Sequence, residues 1–228
     1  MTETTPAITD AVDVAALRQW ILRCAELIAD NHEHLSELDS ATGDADHGSN
    51  LDRGFRAVVT SLAAETHDEP AELLKSVGMT LVDTIGGSSG ALYGTFFLRM
   101  AHTARDADGF GATDLGRAVR AGADGIAERG RVQVGDKTLF DALAPAADAL
   151  DAALARGSSL PDALSSAAEA AETGRDATAG MRARKGRASY LGDRSMGHPD
   201  AGATSMALVI RAAADTFGGG SRSSRGSR

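Results

Sequence analysis

The chain reads as an all-α protein, an eight-helix antiparallel barrel or bundle. Three observations predict this. Apolar residues recur at every third or fourth position through almost the whole length, the period of a helix with one buried face. Runs of β-branched residues with strict alternation, the signature of strands, are missing. Pro70 and Pro161 stand where a first helical turn begins, a place that tolerates the absent N–H.

Taken in order, the first stripe is Leu17, Trp20, Ile21, Cys24, Leu27 and Ile28, and the second is Leu51, Phe55, Val58, Val59 and Leu62. Leu73, Leu74, Val77, Leu81 and Ile85 make a third helix after Pro70. Residues 91–101, ALYGTFFLRMA, are apolar almost all round, which predicts a central helix buried on most sides. Leu115, Val119 and Ile126 form a weaker stripe, interrupted by Gly116, Gly122 and Gly125. Leu139, Leu143, Ala147, Leu150 and Leu154 give a sixth helix, the Ala-rich stretch around Pro161 a seventh, and Met206, Val209, Ile210, Ala213 and Phe217 the last. The tail 218–228, GGGSRSSRGSR, has nothing apolar to bury and is expected to be disordered.

With 228 residues and no internal linker, one domain is expected. A net charge of −9 disfavours nucleic acid or an anionic membrane as partner. No apolar run approaches the ~20 residues of a membrane span, and the polar start MTETTPAITD is no signal segment. The single cysteine, Cys24, allows no internal disulfide and fits a reducing compartment, so a soluble cytoplasmic protein is expected.

The chemistry concentrates in DSATGDADHGSN, residues 39–50. Asp39, Asp44 and Asp46 fall in a D-x4-D-x-D spacing loosened by Gly43 and Gly48, with no Lys or Arg among them. Three carboxylates that converge from one loop repel one another unless a hard cation takes their oxygens. Asp44-x-Asp46-x-Gly48 opens like an EF-hand loop, but calcium would need a glutamate at position 55, where Phe55 stands. Magnesium, completed by phosphate oxygens, suits a half-open carboxylate loop better. His47-Gly-Ser-Asn50 then leads into a helix starting near Leu51, whose free N–H groups would face the same point.

Gly86-Gly-Ser-Ser-Gly90 is a second small-residue junction that lets a backbone approach a phosphate. Gly130 through Thr138 nearly spells a P-loop, but its lysine is one residue late and no strand precedes it, so ordinary capping with Thr138 opening a helix is expected. The stretch from Arg182 to Ser205 is the most basic part of the chain and reads as a long loop, in which Arg187 could hold a phosphate by its fork. His32, His34, His67 and His102 read as surface or helix-packing residues.

Four ordered segments, LDSATGDADHGSNLDRGF, GMTLVDTIGGSSGALYGTFF, GADGIAERGRVQVGDKTLFDAL and ARKGRASYLGDRSMGHPDAGATS, resemble the nucleotide-binding L subunits of dihydroxyacetone kinase. The resemblance covers residues 15–217, leaving an N-terminal extension 1–14 and the tail 218–228. It implies an all-α barrel of eight helices holding ADP or ATP at one end through two magnesium ions. The metal ligands it implies are Asp39, Asp44 and Asp46. The nucleotide contacts it implies are His47, Gly48, Ser49, Asn50, Ser88, Ser89, Gly130, Leu139, Arg187, Asp200, Ala201 and Gly202. At Ala201 the family often has proline, a change that bears on the rigidity of that turn.

The resemblance further implies that the nucleotide stays bound as a coenzyme. A phosphohistidine of a phosphotransferase-system M subunit recharges it, and the γ-phosphoryl passes to dihydroxyacetone held by a separate K subunit. Such a transfer needs position and charge neutralisation, so no catalytic residue is expected from this chain itself. His47, in place of the cysteine associated with ATP-dependent single-chain relatives, leans toward the phosphotransferase-dependent form. Three rival readings are a kinase domain for another acceptor, as in fatty-acid kinases, a dimagnesium ADP-ribosyl-acceptor hydrolase, and a regulator that senses nucleotide and binds a transcription regulator. The hydrolase would need a second acidic cluster near the C-terminus, where only Asp200 is available.

Overall fold

The computed structural model describes residues 11–107 and 109–218. Among them the chain forms eight α-helices: α1 Val14–Ser40, α2 His47–Ala64, α3 Pro70–Thr84, α4 Gly87–Arg105, α5 Ala112–Gly130, α6 Phe140–Ala155, α7 Leu160–Ala177 and α8 Ala201–Gly218. Short 3-10 turns at Thr178–Gly180 and Arg187–Ser195 lie between α7 and α8. Each helix packs on its neighbours in sequence, and α8 packs on α1, so the ring closes into a barrel. Chain direction alternates round the ring.

Local chemistry sets the ends. Asp13 caps α1, its Oδ1 accepting from the Ala16 N–H at 2.7 Å, and Ser159 caps α7. Pro70 opens α3 and Pro161 sits in the first turn of α7, as their positions predict. The glycines of α5 do not break it. A Cβ at Gly122 would meet the Phe96 ring at 2.5 Å, so the missing side chain is what lets α4 and α5 close together. Pro145 lies inside α6 and leaves the Asp141 carbonyl without its helical N–H. At Gly174, α7 approaches that same carbonyl so closely that a Cβ would fall 2.1 Å away.

The barrel is filled rather than hollow. Trp20, Phe55, Tyr93, Phe96 and Phe97 are all buried, each aliphatic or aromatic side chain of this kind contributing roughly 1.5–3 kcal/mol. Trp20 donates its indole N–H to the Val209 carbonyl at 3.0 Å, and its ring tilts against Phe97 at 5.9 Å. Phe97 in turn meets Phe96 edge-on at 5.1 Å. A residual cavity among Trp20, Leu115, Val119, Leu150 and Ile210 is only about 10 Å³. Cys24 is a core thiol, pushed above its ordinary range by burial and so chemically inert.

The packed unit reaches back beyond the start expected from sequence. Val14 is the first residue of α1, Val12 is buried in the core, and its N–H donates to the Phe110 carbonyl at 2.8 Å. At the other end Gly218 closes α8. Residues 1–10 of the expected extension and 219–228 of the expected tail lie outside the described residues.

Candidate functional site

Alternation of direction puts the N-termini of α2, α4, α6 and α8 at one pole of the barrel, and a cleft of about 760 Å³ opens there. First-turn or capping residues of all four helices line it: His47 and Asn50, Ser88 and Ser89, Thr138 and Leu139, Ala201 and Gly202. Four helices therefore aim free N–H groups and the positive ends of their dipoles at one space, a strong preference for an anion.

The carboxylates come from the C-terminus of α1 and the turn that follows. Oxygens of Asp39, Asp44 and Asp46 lie within 4.8 Å of one another. Asp39 organises the turn: its carbonyl accepts from Thr42 and Gly43, and its Oδ2 from the N–H groups of Asp46 at 3.1 Å and His47 at 3.4 Å. A Cβ at Gly43 would lie 2.3 Å from Asp39 Oδ1, so any other residue here would push the Asp39 carboxylate from its place. Ala45 adopts a left-handed φ of 61°, a strained choice for alanine. Asp46 occupies the N-cap of α2 yet makes no side-chain cap bond, which leaves its carboxylate free to face the other two. The donor set is all hard oxygen, half-open to the cleft, and fits magnesium.

His47 is buried beneath this cluster. Its Nε2 lies 2.8 Å from Ser205 Oγ and its Nδ1 3.4 Å from Ser89 Oγ. Desolvation pulls the ring below its ordinary range despite Asp39 and Asp46, so it is neutral at pH 7. Asp200 caps α8, with its Oδ2 accepting from Ala203 N–H at 2.8 Å. Desolvation pushes its carboxyl up to about 6, opposed by that N–H and by Lys137.

The cleft has two characters. Its lining joins the polar carboxylates, Asn50, Ser88 and Ser89 with the apolar Leu92, Val132 and Leu139. Of the residues expected from sequence, Asp39, Asp44, Asp46, His47, Asn50, Ser88, Ser89, Gly130, Leu139, Arg187, Asp200, Ala201 and Gly202 line it. Gly48 and Ser49 do not line it. Gly48 faces α1, where a Cβ would fall 1.9 Å from the His32 carbonyl, and the Ser49 hydroxyl donates to the Asp46 carbonyl at 3.0 Å.

Two local expectations change. Helix α2 begins at His47 rather than near Leu51, so Gly48 and Ser49 carry free first-turn N–H groups while that of His47 is taken by Asp39. The basic segment is shorter as a loop than expected, because α8 starts at Ala201 and 187–195 is wound into 3-10 turns. Thr138 helps to cap α6 as expected: its Oγ1 accepts from the Phe140 N–H at 3.2 Å, and Asp141 reciprocates by accepting from the Thr138 N–H at 2.7 Å and from the Gly135 N–H at 2.5 Å.

Sequence reasoning missed four cations on the cleft, Arg53, Arg129, Lys137 and Lys185. Lys137 is 2% exposed, holds a left-handed φ of 60°, and donates to the carbonyls of Thr178 and His198, each at 2.6 Å. It thereby pins the segment that carries Arg187 and Asp200 to the start of α6. Its place just after Gly135-Asp136 was visible only as a failed P-loop.

Fold and site define a closed helical barrel with a carboxylate cluster and four helix N-termini at one pole. The chain matches the DAK2 domain family over residues 41–215. It is 42% identical over 192 residues, 84% of this chain and 91% of the relative, to the ADP-binding subunit DhaL of the PEP-dependent dihydroxyacetone kinase of Escherichia coli K12. It is 41% identical over 204 residues, 88% of this chain and 95% of the relative, to DhaL of PEP-dependent dihydroxyacetone kinase 1 from Listeria innocua. The crystal structure of the C. freundii dihydroxyacetone kinase in complex with AMP-PNP and Mg2+ superposes with a TM-score of 0.71 at 25% identity, over 95% of this chain and 37% of that one. The chain belongs to the DAK2 domain family, and to the DhaL subunits within it.

Proposed function

We propose that this protein is the nucleotide-binding subunit of a PEP-dependent dihydroxyacetone kinase. It holds ADP or ATP as a resident coenzyme, is recharged by a phosphotransferase-system M subunit, and passes the phosphoryl group to dihydroxyacetone on a K subunit. The observation that carries this is the convergence of four helix N-termini and three carboxylates on one cleft. Relatives named as ADP-binding subunits of such kinases support it, as does a solved relative in complex with AMP-PNP and Mg2+.

In this reading Asp39, Asp44 and Asp46 hold two magnesium ions, which neutralise phosphate charge. The first turns of α2 and α4, with Asn50, Ser88 and Ser89, orient the phosphates by N–H and hydroxyl donation. Leu92, Val132 and Leu139 pack against the base, with Gly130, Ala201 and Gly202 admitting it closely. Arg187 gives its fork to phosphate oxygens. Gly48 serves by letting α2 sit against α1, and Ser49 by tightening the first turn. In this reading no nucleophile is required of this chain, because the groups that would give and take the phosphoryl belong to the nucleotide and the partner subunits. A transcription regulator that reads the nucleotide state is a further partner in this reading. The cytoplasm is its compartment: Cys24 is a buried free thiol, and no helix among the described residues is long and apolar enough to cross a membrane.

The test combines this chain with K and M subunits, phosphoenolpyruvate and dihydroxyacetone, with calorimetry of Mg-ADP in parallel. Turnover that requires both partners is expected, and full turnover with free ATP alone would overturn the M-subunit route. Asp44→Asn should keep the fold and lose Mg-dependent ADP binding, and unchanged affinity would remove the metal assignment.

A further inference from the structure

Ser205 lies one turn into α8 and is fully buried, with four polar atoms around a single hydroxyl. Tyr93 Oη is 2.7 Å away, His47 Nε2 2.8 Å, the Ala201 carbonyl 3.0 Å and the Gly202 carbonyl 3.1 Å. These partners sit on α4, α2 and α8, three of the four helices whose N-termini face the cleft.

Proton counting resolves the arrangement. A serine hydroxyl has one proton and two lone pairs. Tyr93 is buried and meets no other acceptor among the described residues, so its O–H donates to Ser205. A carbonyl can only accept, so the serine proton goes to Ala201. The second lone pair is left for His47, whose Nε2 then carries a proton and donates. The Gly202 carbonyl shares the serine proton as the weaker branch of a bifurcated bond, whereas donation from Ser205 to the ring would set its oxygen against two carbonyl oxygens, at 3.0 and 3.1 Å, with no proton between them. His47 Nδ1 becomes an acceptor turned toward Ser89 at the cleft, 3.4 Å away.

We propose that Ser205 is a positioning residue whose buried hydroxyl ties the starts of α2, α4 and α8 together and fixes His47 as the Nε2-protonated tautomer. The role rests on the nucleotide reading of the cleft, because those three helix starts supply the donors for phosphate and base. Ser205 touches no ligand. It acts through the register of the helices that do.

The experiment labels histidine with 15N and follows the ring nitrogens with and without Mg-ADP, the His47 signal being identified by its loss in His47→Gln. In the wild type, His47 should show a protonated Nε2 and a bare Nδ1. Ser205→Ala should average the two tautomers and weaken Mg-ADP binding on the order of tenfold. Ile210→Val, which deletes one buried methylene from the same helix, should lower Tm and change neither. Ser205→Ala that behaves like Ile210→Val, with affinity within about twofold and the tautomer unmoved, would reduce Ser205 to a packing residue and overturn the proposal. Should Ser205→Ala not fold, the wild-type spectrum decides alone, since an averaged or Nδ1-protonated ring excludes the assignment. Wild-type protein that fails to bind Mg-ADP would remove the nucleotide reading, and the tautomer would still judge the hydrogen-bond hub.

Discussion

Arg187 lies against Asp44, its Nη1 on the carboxylate Oδ2, so the segment after α7 is tied across the mouth of the cleft to the turn after α1. Both side chains are exposed, and such a pair contributes at most about 1 kcal/mol. Its importance is competition: the carboxylate that holds the guanidinium is one that a cation needs. Arg187→Ala should bind Mg2+ alone more tightly, by up to about fivefold, and Mg-ADP more weakly, by about tenfold. Calorimetry with each ligand separates the two effects, and equal shifts in the same direction would show that the pair does not compete.

Asp200 sets a pH dependence. Its folded-state value of about 6 lies above the ordinary carboxylate value, so the folded protein binds this proton more tightly than the unfolded chain. That contribution is complete below pH ~4 and is lost as pH rises through 6, leaving a desolvated charge that costs on the order of 3 kcal/mol at pH 8. Asp200→Asn keeps a capping oxygen for Ala203 and should be more stable than the wild type at pH 8, the two converging near pH 4. Urea melts at the two pH values measure this, and a difference independent of pH would contradict it.

Gly48→Ala tests the contact between α1 and α2. A Cβ 1.9 Å from the His32 carbonyl cannot be accommodated by a side-chain movement, because the obstacle is backbone. The helices must separate, at a cost of about 2 kcal/mol or more, and His47 moves with them. A Tm drop of several degrees with weakened Mg-ADP binding is expected, and an unchanged Tm would refute the close approach.

Lys137→Met should remove a strut. The ammonium serves two carbonyls of the segment between α7 and α8, and burial draws its pKa down while Asp200 and Asp141 oppose the shift. The substitution takes this donor from the Thr178 carbonyl, which keeps the Met181 N–H, and from the half-buried His198 carbonyl, a loss of about 1–3 kcal/mol. Because that segment also carries Arg187, Mg-ADP affinity should fall together with Tm in calorimetry and thermal melts. Stability lost with affinity intact would separate the strut from the site.

What the sequence made legible follows its geometry. The carboxylates could be read because Asp39, Asp44 and Asp46 belong to one turn, where spacing alone brings side chains together. The helices could be read because burial repeats with helical period. Helix α5 looked weak because Gly116, Gly122 and Gly125 pack by absence of a side chain, which a count of apolar residues scores as polar interruption. The start of α2 is hidden in the sequence because Gly48 and Ser49 are poor helix formers, and the close approach of Gly48 to α1 shows only in the fold. Lys137 and Ser205 were missed for a different reason: their partners lie 41 to 158 residues away and meet only when the ring closes.

The closed, alternating ring also settles where other polypeptide can be joined. Val14 starts α1 and Gly218 ends α8 at the pole away from the cleft, where Ala11 and Val12 meet Phe110 and Gly111 in the turn between α4 and α5. A domain fused at either side therefore emerges behind the barrel and leaves the cleft mouth clear. That geometry makes the fold portable, able to serve as a separate piece or as one segment of a longer enzyme such as the C. freundii kinase, of which this chain matches 37%.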